Sequence, residues 1–188
     1  MSIIDPKNRN FQSPLKFRLN IERLAHVNFF VTDVNLPGVV VPSPSTPNPL
    51  NKINWQPDHM AWDELSVTFI VDEDMKAWQE IFFWIQGQAF PEDHKQYRDM
   101  RDGKTRDADG DLLPKPPRPS KPKHLGENFS DGTLLILSSH NNSTLEIDFK
   151  DLHPLTLSEL NFTSKDTDVK HLTCTVTFVY DYYTVKRP

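Results

Sequence analysis

The residues that could do chemistry are few and scattered. Asp107-Ala108-Asp109-Gly110-Asp111 has alternate carboxylates, which can converge on one hard cation. The helix–loop–helix form of a calcium loop needs glycine at its sixth position and glutamate at its twelfth. Counted from Asp107, those positions hold Leu112 and Arg118, so a solvated acidic turn is expected. The seven histidines are dispersed, and none stands at metal-ligand spacing with Cys174. Cys174 is the single cysteine, so no internal disulfide can form. Its place inside a strand-like run makes it a small buried hydrophobe rather than a nucleophile. There is no glycine loop to cradle phosphate and no G-x-S-x-G turn to present a serine. His59, Asp63 and Glu64 could form an acid–base group, but nothing picks them out, and a polar turn entering a strand is the preferred reading. The stretch LPKPPRPSKP (113–122) reads as a stiff polyproline spacer, or as a ligand for an SH3-like domain. The expectation is a protein without metal, cofactor or catalytic residues.

Composition narrows the remaining classes. The 188 residues suit one domain with appendages. Hydrophobic content is 37%, below average, but aromatics at 11% can supply a core. A net charge of −5 argues against gripping nucleic acid, which needs a basic face. No apolar run is long enough to span a bilayer, and MSIIDPKNRNFQSP lacks a signal-peptide core, so synthesis and use in a cytoplasm are expected.

The elements follow from periodicity. Residues 1–15 read as an N-terminal arm. FRLNI (17–21) alternates as a half-buried strand, and HVNFFVTDV (26–34) is rich in β-formers and ends at the turn Asn35-Leu36-Pro37-Gly38. The segment 38–58 holds prolines at 42, 44, 47, 49 and 57, which remove amide donors and confine it to an edge. Two strands, 38–42 and 50–55, joined by a stiff loop are predicted there. In WDELSVTFIVDEDMKAWQEIFFWI (62–85), Leu65, Val67, Phe69 and Val71 share one side of a strand. Asp72, Glu73 and Asp74 then suit the first turn of a helix, where free amides favour negative charge. Met75, Trp78, Ile81, Phe82 and Ile85 form its apolar face, Gly87 its stop, and Phe83 points away from the core.

Residues 91–131 are charged and rich in proline and glycine, and read as an extended insertion. Strands return at 133–139 and 144–152, with a hairpin turn at 140–143 and Pro154 ending the second. A short helical turn is expected at 156–160. The last strand, 171–183, places Leu172, Cys174, Val176, Phe178, Tyr180 and Tyr182 on one face. The core should gather Phe17, Leu19, Phe69, Trp78, Ile81, Phe82, Ile85, Ile147, Val176 and Phe178. The fold class is mainly β, an antiparallel sandwich or barrel with one flanking helix.

This order of elements resembles the tail tube proteins of contractile-tailed bacteriophages. The likeness rests on FRLNI with FFVTDVNLPG, on NKINWQPDHMAWDELSVTFIVDEDMKAWQEIFFWI, on LEIDFKDLHPLTLSELNF and on LTCTVTFVYDYY. It covers the chain apart from the first dozen residues and 91–131. Tube-end proteins, both initiators and terminators, share the same fold. The resemblance implies a subunit that joins five copies of itself edge to edge in a hexameric ring. Rings would stack into a tube in the virion tail, assembled in the host cytoplasm, whose bore passes DNA without sequence-specific binding. Sheath, tube-end and baseplate proteins would be its partners.

The segment 38–58 is the expected ring-to-ring contact, through Val40, Val41, Pro42, Pro44, Leu50, Lys52, Ile53 and Trp55, with Phe83 reaching another subunit. The insertion, with its basic Lys115, Arg118, Lys121 and Lys123, should face outward. Two other readings stand beside this one. The first is a monomeric β-sandwich binding module using Trp55, Trp62 and Tyr183. The second is a small hydrolase without a recognisable motif.

Overall fold

The computed structural model describes residues 12, 14–24, 26–106, 110, 112, 128–163, 165 and 171–187. In chain order the elements are β1 (Phe17–Ile21), α1 (Val27–Phe30), β2 (Val31–Val34), β3 (Val39–Val40), β4 (Ser45–Pro47), β5 (Lys52–Asn54), β6 (Ala61–Trp62) and β7 (Leu65–Ile70). They continue with α2 (Lys76–Ala89), α3 (His94–Asp102), β8 (Ser130–Leu137), β9 (Ser143–Leu157), β10 (Thr173–Val179) and β11 (Tyr182–Lys186). The fold is mainly antiparallel β, as expected.

The long strand β9 organises the sheet. On one side its first part pairs with β8, which in turn pairs with β1. On the other side β11 and then β10 run along it, Lys186 opposite Glu146 and Val176 opposite Leu157. β10 continues through β7 to β2. Both partners bend at the same level. Asp151 takes a left-handed φ of 55°, and the facing chain breaks between β10 and β11, where Asp181 N–H donates to Lys150 O at 3.0 Å. The terminal strand expected at 171–183 is therefore two strands with a bend between them, it extends to Lys186, and the bend turns Tyr182 out of the core face expected for it.

Strict alternation makes β7 and β10 one-sided. Leu65, Val67 and Phe69 are buried from β7, and Cys174, Val176 and Phe178 from β10. They meet Leu19, Ile21, Ile147, Phe149 and Leu152 in one core, closed by Ala77, Ile81 and Trp84 of α2. Among the expected core residues, Phe17, Trp78 and Ile85 are only half-buried, and Phe82 is exposed. The face of α2 is turned relative to the expected one, because Ala77, Glu80 and Trp84 take the inner positions.

Other expectations also change. Residues 26–34 split into α1 and β2. Asn28 causes this: its Oδ1 accepts from Ile21 N–H at 2.8 Å and its Nδ2 donates to Ile21 O at 2.9 Å, so a side chain takes the place of a strand partner. The acids lie before the helix rather than within its first turn, and Asp72 accepts from Lys76 and Ala77 N–H, both at 3.0 Å. Gly87 lies inside α2, which ends at Phe90 in a left-handed conformation. Residues 94–102 of the supposed insertion form α3, packed on α2 through the buried Met100. Helix α2 is thus not the only helix, since α1 and α3 accompany it. β9 runs through Pro154 to Leu157, where a helical turn was expected. A register shift in β10 opposite Pro154 accommodates the missing amide. The acidic turn at 107–111 lies outside the described residues except for Gly110. The proline-rich stretch at 113–122, the basic residues 115–123 and most of the N-terminal arm lie outside them altogether.

Candidate functional site

After β2 the chain leaves the sheet at Pro37 and returns at β7. The expected ladder between 38–42 and 50–55 is replaced by two shorter ones. β3 pairs with β6 at the root, Val39 opposite Trp62, and β4 pairs with β5 at the tip, Ser45 opposite Asn54. The prolines explain the division, since Pro42 and Pro44 cannot donate across a continuous ribbon.

The root is fixed by aromatic packing. Trp62 lies edge-on to Tyr183 at 4.6 Å and tilted to Tyr180 at 6.4 Å, and both tyrosines contact Phe149. Tyr180 Oη donates to Asp63 O at 2.8 Å, and its burial raises its pKa to about 12. Asp63 N–H donates to Gly38 O at 3.1 Å. A Cβ at Gly38 would lie 2.6 Å from Asp63 Oδ2, so a larger residue there would push the carboxylate aside. These tyrosines flank the bend between β10 and β11, so the bend in the sheet also seats the arm. This aromatic root was missed from the sequence, where Trp62 and Tyr183 read as exposed. Both are half-buried.

The tip is ordered by its own hydrogen bonds. Trp55 N–H donates to Pro44 O at 2.8 Å, Ser43 Oγ to Trp55 O at 2.7 Å, and Trp55 Nε1 to Thr46 Oγ1 at 2.9 Å. Yet it covers nothing. Val40, Val41, Leu50, Ile53 and Trp55 are exposed, Leu50 at 95%. Pro44 and Lys52 are exposed as well, and Pro42 is half-buried. Asp58 is held by His59 at 2.7 Å, a hydrogen bond that lowers its pKa. Eight of the 17 exposed large hydrophobics fall between Leu36 and Met60, which marks this arm as the main unburied apolar surface of the described residues.

Among the described residues, chemistry does not gather elsewhere. Among the described residues no three of His, Cys, Asp and Glu form a metal-binding group. His59 pairs with Asp58 rather than with Asp63 or Glu64. Cys174 is buried with its Sγ 3.4 Å from Ser158 Oγ, and burial pushes its pKa up, away from a thiolate. Phe83 is not bare, as its off-face position suggested. It is half-buried in a cavity under α3 with Arg23, Glu80, Trp84, Met100, Gly103 and Thr105, while Phe82 is the exposed ring, stacked on Trp78 at 4.9 Å.

No protein-family model and no curated protein matches the chain. Solved structures match over nearly its whole length. The tube-terminating cap of the anti-feeding prophage aligns with a TM-score of 0.60 at 9% identity, covering 98% of this chain and 97% of that one. The chain has the tail-tube fold. A chain of the sheath/tube terminator of an extracellular contractile injection system aligns at 0.56 and 10% identity, covering 95% and 99%. One from the extended sheath–tube complex of such a system aligns at 0.54 and 9%, covering 96% and 94%. At these identities the likeness carries the backbone path, so the apolar side chains of the arm must be interpreted from this chain alone. No described helix is long and apolar enough to cross a membrane.

Proposed function

We propose that this chain is a structural subunit of the tube of a contractile injection device or phage tail, and that its arm is the contact between successive rings. The observation that carries the proposal is the stiff arm, anchored at an aromatic root and apolar where it touches nothing of its own fold. The open edges of the sheet supply the lateral joints. Among the described residues β1 and β2 end its path, and β11 leaves one side unpaired with Val185 exposed. Such edges are hazards in a monomer and become joints in a closed ring. Six copies per ring, a sheath around the tube and tube-end or baseplate proteins at its ends belong to the same reading. A net charge of −5 suits a bore through which DNA passes without being held.

A tube-end role is the second reading. It is favoured by alignments to a cap and a terminator at least as good as that to the sheath–tube complex. Electron microscopy of the purified chain over a concentration series tests both. Stacked tubes support the main-tube role and single rings a tube-end role. A strict monomer at high concentration refutes assembly and revives the binding module.

The arm itself is tested by replacing residues 45–54 with Asn-Gly. This joins Pro44 to Trp55, which are already hydrogen-bonded, through a favourable two-residue turn. The fold should persist, because the deleted residues are all exposed. Stacking should be lost while single rings remain. Long tubes from this variant would show that the arm is not the stacking element.

A further inference from the structure

The cavity under α3 contains a charge with no partner. Arg23 is 8% exposed and its guanidinium lies 4.8 Å above the Trp84 ring, yet its buried Nη1 has no hydrogen-bond partner. Thr105 Oγ1, lining the same cavity, is also buried and unpartnered. Glu80 lines the cavity too, but its carboxylate is committed elsewhere. Its Oε1 lies 2.6 Å from His26 Nδ1 and its Oε2 accepts from His26 N–H at 3.1 Å.

We propose that this cavity is a socket for one carboxylate group, bound by Arg23 Nη1 and Thr105 Oγ1. A buried cation left uncompensated costs several kcal/mol, whereas a guanidinium and a hydroxyl together match the two oxygens of a carboxylate. Among the described residues nothing provides the countercharge. Burial alone acts on Arg23, lowering its pKa to about 10, and no acid holds it up. The cavity volume of about 20 Å³ leaves room for a small head group only. The neighbouring Glu80 also disfavours a doubly charged anion, although burial raises the pKa of Glu80 and softens that repulsion. A single water fits the space as well, but it would satisfy the hydrogen bonds and leave the charge. The carboxylate can come from a free small acid or from an Asp or Glu side chain of a neighbouring copy. Only the second source rests on the assembly proposed above.

Thermal melting of the full chain, kept dilute enough to stay unassembled, distinguishes these cases. Sodium formate replaces sodium fluoride at constant ionic strength. For a free acid, Tm should rise and saturate, by about 3–6 °C at formate ten times its dissociation constant, and Arg23→Gln and Thr105→Val should each abolish the rise. Thr105→Val keeps the test open if Arg23→Gln fails to fold. For a neighbour's carboxylate, the dilute chain should ignore formate. Folded Thr105→Val should then fail to assemble, and high formate should disperse wild-type assemblies. An equal formate response in wild type and variants overturns the socket. So does no response combined with unimpaired assembly, or with no assembly at all. The cavity would then hold water only.

Discussion

Truncating each tryptophan of α2 in turn should give very different losses, and the order of those losses tests how the helix is seated. Trp84 is fully buried, its Nε1–H donates to Asn128 O at 3.0 Å, its ring lies 6.2 Å from Phe178, and Arg23 covers its face. Replacing a buried tryptophan by alanine costs about 3–5 kcal/mol. Trp84→Ala should fall at the upper end. Asn128 O would keep only Gln88 Nε2, at 3.4 Å, and Arg23 would lose a cation–π contact of about 0.5–2 kcal/mol. For a chain of this size that is a fall of about 8–20 °C in Tm. Trp78 is half-buried and rests on the exposed Phe82, so Trp78→Ala should cost only about 1–2 kcal/mol, or about 2–8 °C. Melting followed by near-ultraviolet circular dichroism at matched concentration measures both. If Trp78→Ala costs as much as Trp84→Ala, the helix is turned to the face expected from spacing alone, and the cavity lining described above is wrong.

Three further outcomes follow from the same packing. Gly87→Ala gains about 1 kcal/mol of helix propensity, but its Cβ would lie 2.9 Å from Met100 Cβ, which is fixed to α3 and cannot swing aside. The net result should be a loss of about 1 kcal/mol, and a rise in Tm would show that α3 does not sit there. Burial is the main cause acting on Glu80 and raises its pKa above 4.5, so the native state holds this proton to higher pH than the unfolded chain. Unfolding releases the proton in that window, so this contribution to stability is complete below about pH 4.5 and declines as pH rises through the native pKa. Glu80→Gln should flatten that decline in urea midpoints against pH. Asp148, whose pKa is lowered chiefly by Lys186, pulls the other way in both proteins and cancels in the difference. Tyr180→Phe removes the hydrogen bond to Asp63 O and should cost about 1 kcal/mol, with faster amide exchange at Asp63 as the local sign that the arm root has loosened.

The strands were legible where one face is dry. β7 and β10 alternate without fault because one row of side chains enters the core, and period two records that directly. Helix α2 was legible as a helix but not in its rotation. Its spacing admits two apolar stripes, and the choice of Trp84 over Phe82 depends on Arg23 and Asn128, both distant in sequence, and on α3, whose polar sequence hid it. α1 was hidden because VNFF favours a strand by propensity, and the paired hydrogen bonds between Asn28 and Ile21 override it. The polar composition of α3 concealed it, since a single residue, Met100, is buried from it. The arm was legible as an edge segment from its prolines. Its root was not, because the aromatic cluster joins residues 62, 149, 180 and 183 across the whole chain.

Why the arm is stiff can be argued from entropy. Fixing one backbone residue costs about 1–2 kcal/mol, so a flexible tip of residues 45–54 would lose on the order of 10–20 kcal/mol of free energy on docking. Covering Leu50, Ile53 and Trp55 returns about 1.5–3 kcal/mol for each side chain, which cannot offset that loss. Ordering in advance changes the balance. The ladder from Ser45–Pro47 to Lys52–Asn54 and the bonds from Ser43 and Trp55 hold the tip before any partner arrives. The same apolar side chains then contribute to binding almost in full. Stiffness alone would not direct the tip. The root does, because Trp62, Tyr180 and Tyr183 tie the arm to the bend in the sheet, and the sheet carries the edges available to lateral neighbours. A subunit held at those edges therefore presents its arm in one direction, and each subunit of a ring would present it in the same one.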